Sequence, residues 1–233
     1  MISIIIPTLN EETYLPLLLE SIKKQSFTDY EIIVADAGST DATLEIAKKY
    51  NCNVVAGGLP GPGRNRGAEV AKGDILLFLD ADVILPEGFL AFAVSEFTKR
   101  KLGIAAFPIM FTNANAFAQG FNRAVTMFLQ LVAGIFPHAF TVIMVQKAVH
   151  EKIGGFDETI VMHEDFCYAM AMAKVSRYGI INRVAFTSPR RYKKDGWLFT
   201  NVRYFLADCY TIVIGPIRSD IFKYKFNHYK DKK

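Results

Sequence analysis

Gly73-Asp74-Ile75-Leu76-Leu77-Phe78-Leu79-Asp80-Ala81-Asp82 is the stretch that decides how this chain folds. Ile75–Leu79 is an apolar run with no charge, bracketed by a turn signal and two carboxylates. Such a run fits a strand buried on both faces, as in a parallel sheet covered by helices. Asp80 and Asp82 then emerge at the carboxyl end of that strand, where open α/β sheets bind their ligands. In an extended chain, side chains at i and i+2 share one side, so both carboxylates would face one ligand. Mg2+ and Mn2+ take hard oxygen donors, and Mg2+ commonly combines one or two carboxylates with substrate phosphates. Asp80 and Asp82 are therefore candidate metal ligands in a cation–diphosphate site; the plain alternative is a pair of turn aspartates.

The pattern repeats upstream. Ile4-Ile5-Ile6, Glu31–Asp36 and Asn53–Ala56 read as strands. Leu15, Leu18, Leu19 and Ile22 recur at helical spacing, and residues 42–50 form a second helical stretch. This strand–helix alternation, about 25 residues per unit, indicates right-handed crossovers in a mostly parallel sheet. Asp36 also ends a strand, which puts it on the same rim as Asp80 and Asp82. It is a candidate to accept hydrogen bonds from a base or ribose, or else a turn acid. Residues 57–63, Gly-Gly-Leu-Pro-Gly-Pro-Gly, read as an irregular loop, with a helix opening at Arg64. A glycine-rich loop leading into Arg64 and Arg66 suits an anion, or is a connection with solvated arginines.

Downstream, a helix is expected to run to about Lys101, a strand over Ile104–Met110, and a helix capped by Asn113 or Asn115. A strand at Thr141–Val145, a helix over Lys147–Lys152 and a tight turn at Gly154–Asp157 follow. Phe166–Tyr178 reads as a helix and Ile180–Phe186 as the last strand. His163-Glu164-Asp165 stands at the start of that helix, as a cap or as a source of catalytic carboxylate.

With 233 residues and 51% hydrophobic content, the chain can build a sizeable α/β core. Six of its 27 basic residues but only two of its 23 acidic ones fall in 218–233, so the net charge of +4 belongs to the tail. A balanced body argues against nucleic acid as a partner. Cys52, Cys167 and Cys209 lack metal spacing and read as free thiols in a reducing compartment. The N-terminus enters a strand directly and shows no signal-peptide pattern, so the expected location is cytoplasmic. Residues 124–145 carry no Asp, Glu, Lys or Arg, yet Pro137 divides them into helix and strand rather than one membrane span. Residues 197–217 are aromatic and aliphatic, and Lys alternates with Phe and Tyr beyond them. Such a segment suits weak contact with an anionic membrane at the inner face of the plasma membrane, or a packed helix with a solvated basic end.

Ile4–Glu12, Val34–Asp41, Leu79–Asp82, Gly154–Asp157 and Glu164-Asp165 together stand in a familiar order and spacing. Over roughly residues 1–190 the chain resembles an inverting family 2 glycosyltransferase of GT-A fold. The resemblance implies a nucleotide-diphosphate sugar as donor, Mg2+ or Mn2+ as cofactor, and a hydroxyl or lipid-linked (polyprenyl-phosphate) acceptor. It implies that Pro7, Glu11 and Asp36 hold the nucleoside, that Asp80 and Asp82 meet ribose and metal-bound diphosphate, and that Asp165 is the catalytic base. Arg64, Arg190 and Arg191 are further candidates for phosphate contact. The Gln-x-x-Arg-Trp motif of processive members is absent, so processive polymer synthesis is not expected. On this reading residues 1–112 form the donor-binding half, 113–195 the acceptor-side half of the same domain, and 196–233 a C-terminal amphipathic and basic segment. A nucleotidyltransferase acting on a sugar phosphate, or a non-catalytic nucleotide-sugar-binding protein, remains open at this point.

Overall fold

The computed structural model describes residues 1–112 and 116–222. Asn113 and Asn115, read as helix caps, and the basic residues 223–233 lie outside the described residues. The first half alternates as expected: β1 (Ile2–Thr8), α1 (Leu15–Lys23), β2 (Tyr30–Asp36), α2 (Thr43–Lys49), β3 (Asn53–Ala56), α3 (Pro60–Val70) and β4 (Ile75–Leu79). Then come β5 (Val83–Ile84), α4 (Phe89–Lys99), β6 (Ile104–Ala106), β7 (Ile109–Phe111), α5 (Ala116–Val132), β8 (Val142–Gln146) and α6 (Lys147–Lys152). The chain continues through α7 (Glu164–Val175), β9 (Tyr178–Ile180), β10 (Ala185–Thr187), α8 (Arg190–Asp195) and α9 (Trp197–Val213).

The α/β architecture is borne out. A seven-stranded sheet runs β3-β2-β1-β4-β8-β6-β9, and only β8 is antiparallel to its neighbours. A three-stranded sheet, β5-β10-β7, stands beside it. β4 sits between β1 and β8, which explains its unbroken apolar sequence. Leu77 and Leu79 join Ile4, Ile6, Leu15, Leu18 and Phe89 in one core layer. Leu76 and Phe78 face the opposite layer with Ile5, Ile33, Phe156 and Tyr168. Burying each of these side chains contributes about 1.5–3 kcal/mol, so the sheet's position is held from both faces.

Four expectations are corrected. The Gly-Pro segment is not irregular throughout: α3 starts at Pro60, and proline lacks only an N–H that a first turn leaves unpaired anyway. Gly63 and Gly67 let that helix lie close on β1, since a Cβ on Gly63 would stand 3.1 Å from Pro7 Cβ and one on Gly67 would collide with Ile5. The stretch Ile104–Met110 is two strands in different sheets, because Pro108 follows β6 and cannot donate to its ladder. Ile180–Phe186 likewise divides between β9 and β10. The last correction concerns the opening stretch: β4 stops at Leu79, and Asp80-Ala81-Asp82 is a turn closed by Val83 N–H donating to Asp80 O at 3.1 Å. The two carboxylates therefore do not share one side of a strand.

Candidate active site

Parallel pairing brings the carboxyl ends of β1, β2 and β4 to one rim. Because β8 is antiparallel, its leading segment reaches that rim too, with Asp80 N–H donating to Thr141 O at 3.1 Å. The start of α7 and the end of β10 complete the surround of a cavity of about 720 Å3. Pro7, Glu11, Arg64, Asp80, Asp82 and Asp165 line it, as do Arg190 and Arg191. Glu11 and Arg190, 179 positions apart, thus share one space.

Two guanidinium groups organise the acids. Arg64, on α3, is 3% exposed and donates from Nη2 to Asp80 Oδ1 and from Nη1 to Glu164 Oε1, both at 2.8 Å. Burial opposes its charge, but Asp80 and Glu164 more than offset that, and the group stays cationic. Arg190, at the start of α8, grips both Glu11 oxygens at 2.8 and 2.6 Å and reaches Asp82 Oδ2 from Nε at 3.2 Å. Its guanidinium also lies 4.6 Å from the centre of the Tyr14 ring. Thr187 Oγ1 holds the other Asp82 oxygen at 3.3 Å. Asp80 and Asp82 are thus drawn to different arginines, yet both edge the same cavity.

Burial raises the Glu11 carboxyl above its ordinary value, and the charges of Asp82 and Asp80 add to that. Asp80 is raised as well, chiefly by burial, although Arg64 pulls the other way. Asp165 is pushed furthest, to about 7, by burial and then by the charge of Glu164 beside it. Among the described residues its hydrogen bond comes from Phe166 N–H at 2.8 Å, and Arg64 does not reach it. Six carboxyl groups (Glu11, Asp80, Asp82, Glu164, Asp165 and Asp208) and three guanidiniums (Arg64, Arg190 and Arg191) line this cavity, so acids outnumber arginines there. Among the described residues no group of three or more His, Cys, Asp and Glu is arranged to hold a metal ion. Asp80 and Asp82 do fit a divalent ion that would complete its shell with phosphate oxygens, since both present carboxylate oxygens, the hard donors such an ion takes, at the edge of one cavity.

Asp36 behaves differently. It does not line the cavity, and its oxygens accept from Thr8 Oγ1, Ser39 Oγ, Gly38 N–H and Ser39 N–H at 2.9, 2.5, 3.0 and 2.8 Å. It therefore ties the loop after β2 to the end of β1. Arg191 donates to Tyr204 of α9 at 3.0 Å and so joins the cavity wall to that helix. Sequence reasoning missed a third group: Asp208 of α9 stands 3.3 Å from His163 Nδ1 and 3.7 Å from His138 Nε2. Burial lowers the His163 imidazole, with Asp208 opposing. Of its members only His163 stood in a stretch singled out by sequence; His138 and Asp208 come from distant parts of the chain with no fixed spacing to it.

Comparison with known proteins extends this geometry. The poly(ribitol-phosphate) β-N-acetylglucosaminyltransferase TarS of Staphylococcus aureus is 42% identical over 90 residues, 34% of this chain and 16% of that protein. A PGL/p-HBAD biosynthesis glycosyltransferase of Mycobacterium bovis is 41% identical over 106 residues, 42% of this chain and 41% of that one. The chain thus spans less than half the length of these curated relatives. In structure it resembles S. aureus TarS in complex with UDP-GlcNAc (TM-score 0.67, 24% identity, 80% of this chain and 58% of that one). It also resembles the mannosyltransferase PcManGT of Pyrobaculum calidifontis in complex with GDP-Man and Mn2+ (TM-score 0.71, 18% identity, 88% of this chain and 61% of that one). At these identities the likeness establishes the fold, a GT-A-type layer of mostly parallel strands. The profile described as Glycosyl transferase family 2 matches residues 3–162, a span that runs from within β1 through β8 and holds Arg64 and both turn carboxylates, and so the chain belongs to glycosyl transferase family 2.

Proposed function

We propose that this chain transfers a sugar, with inversion, from a nucleotide-diphosphate sugar to an oxygen nucleophile on an acceptor. The observation that carries the reading is the convergence of Glu11, Asp80, Asp82 and Asp165 on one cavity, held by Arg64 and Arg190. The UDP-GlcNAc and GDP-Man named with the two structural relatives are ligands of the same chemical class, and Mn2+ accompanies the second.

In this reading the nucleoside lies along Pro7 and Glu11, and the diphosphate lies by the turn at 80–82. Asp80 and Asp82 would hold a divalent ion there, which would supply charge neutralisation at the diphosphate. Arg190 and Arg64 would add guanidinium contacts to phosphate oxygens. The acceptor oxygen attacks the anomeric carbon opposite the leaving group. One C–O bond forms as the bond to the phosphate oxygen breaks, and the nucleoside diphosphate leaves with the electron pair. When the acceptor is a hydroxyl, its proton passes to Asp165, whose raised carboxyl is matched to a task near neutral pH. A phosphate acceptor is already ionised and needs no base. The acceptor side of the cavity is the part lined by residues 121–129, 138–141 and 197–208.

Incubation with nucleotide sugars and Mn2+ tests the proposal by its leaving product. Released nucleoside diphosphate, with an inverted anomeric centre in the product, supports it. Pyrophosphate released from a nucleoside triphosphate and sugar phosphate would instead assign a nucleotidyltransferase.

A further inference from the structure

α9 is amphipathic in the reverse of the usual sense. Its exposed positions are Leu198, Phe199, Val202, Phe205, Leu206, Cys209, Ile212 and Val213, spaced three and four apart as one helical stripe. None carries a charge. Its polar side chains turn inward: Thr200 is buried, Arg203 pairs with Asp195 at 2.9 Å, and Asp208 meets the two histidines. α5 repeats the arrangement with exposed Phe121, Ala124, Met127, Phe128 and Leu131, and Arg123 is the one charge among its described exposed positions. A soluble surface of ordinary kind does not carry two apolar stripes of this length.

These two helices also form the acceptor-side wall of the cavity. Phe121 and Phe128 of α5, and Leu198 and Phe205 of α9, belong to these exposed stripes and also line the cavity. The apolar face and the cavity are therefore continuous. Among the described residues no helix is long and apolar enough to cross a membrane, so this face can lie on a bilayer but not span it. Cations flank it: α8 brings exposed Lys193 and Lys194 directly into α9, and exposed Arg123 stands on α5. Apolar stripes bordered by cations, with no exposed acid among the described positions of α5 and α9, match the surface of an anionic membrane.

We propose that α5 and α9 form a docking face for an anionic lipid bilayer, through which an acceptor with an apolar tail presents its oxygen to the cavity. The acceptor class rests on the glycosyl-transfer reading; the docking face does not. A lipid-tailed acceptor would keep its tail along Phe121, Phe128, Leu198 and Phe205 while its head group reaches Asp165. Transfer then occurs without extraction of the acceptor's apolar tail into water, which the hydrophobic effect opposes.

The test is flotation of the full chain with vesicles of phosphatidylcholine alone or mixed with phosphatidylglycerol. It is compared with the Leu131→Glu/Val213→Glu double variant, whose sites are 83% and 82% exposed and lie outside the cavity wall. Wild type should float with the mixed vesicles, less so in high salt, and the double variant should lose about tenfold or more of that binding. Thermal shifts with UDP or GDP and Mn2+ should be alike in both proteins. Failure of wild type to float, or equal flotation of the variant, overturns docking. Conversion of a wild-type dimer to a monomer with unchanged flotation also overturns it and assigns the face to a second copy. Vesicle binding without binding of either nucleoside diphosphate keeps the docking face and removes the acceptor class.

Discussion

Arg190 and Glu11, 179 positions apart, meet in a two-point ion pair at 2.6 and 2.8 Å. This contact ties the first strand–helix loop to the beginning of α8 across the mouth of the cavity. Glu11 is buried enough that its carboxyl is raised despite the guanidinium. Arg190→Met should therefore leave an unpaired acid and lower stability by about 2–4 kcal/mol. Adding Glu11→Gln should recover part of that loss, because the remaining polar group no longer carries charge. Denaturant unfolding of the two singles and the double gives the coupling directly, and additive losses would show the pair to be independent.

Asp165 gives a pH prediction with a definite sign. Its folded value, about 7, stands above its ordinary 3.8, so the folded chain keeps a proton that the unfolded chain has lost. Stability from this group therefore falls as pH rises between those values and levels off above them. Asp165→Asn should remove that slope and be the more stable protein at pH 8, by about 1–3 kcal/mol. The same change should cut turnover on a hydroxyl acceptor by about 10²-fold or more. A variant that loses stability at pH 8 would contradict the raised carboxyl.

Arg64 is the buried cation among Asp80, Glu164 and Asp165. Arg64→Met should cost about 3–5 kcal/mol, since the acids lose their counter-charge in a poorly solvated place. Mn2+ should then raise the melting temperature of the variant more than that of wild type, because it meets carboxylates no longer engaged. An equal or smaller rise in the variant would place the cation elsewhere.

Two adjacent glycines separate backbone strain from crowding. Gly154 and Gly155 have φ of +80° and +78°, but only Gly155 has a close neighbour, Asn65 Oδ1, 2.5 Å from where a Cβ would stand. Asn65 accepts from Phe156 N–H at 2.8 Å and donates to Phe156 O at 2.9 Å, which pins this turn to α3 beside Arg64. Gly154→Ala should cost about 1–2 kcal/mol, the left-handed penalty alone. Gly155→Ala should cost about 2–4 kcal/mol, because those hydrogen bonds are displaced as well. Thermal unfolding of the two variants checks the difference, and equal losses would contradict the role given to Asn65.

The sheet was legible because its strands carry their burial in their composition. Ile75–Leu79 and Ile4-Ile5-Ile6 are apolar on both faces, and the acids that follow mark one rim. What stayed hidden depended on partners distant in the chain. Asp36 reads like Asp80 in sequence, yet Thr8 and the backbone of its own loop consume its oxygens. Arg64 reads as an anion contact or a solvated arginine at a helix start, and its partners Asp80 and Glu164, 16 and 100 positions away, appear only in the folded chain. Asp208 carries no local signal at all, since only the packing of α9 brings it to His138 and His163. Residues 197–217 showed their apolar content, but which side of the helix faces outward follows from Thr200 and Ala207 being the buried positions.

The most direct measurement is titration of UDP and GDP into wild type and Asp82→Asn, each with Mn2+ and with chelator. The expected result is binding of at least one nucleotide by wild type with Mn2+, lost on chelation and weakened about tenfold or more in the variant. Binding of equal strength in all four conditions, or none in any, would contradict a cation-bridged diphosphate at the turn after β4.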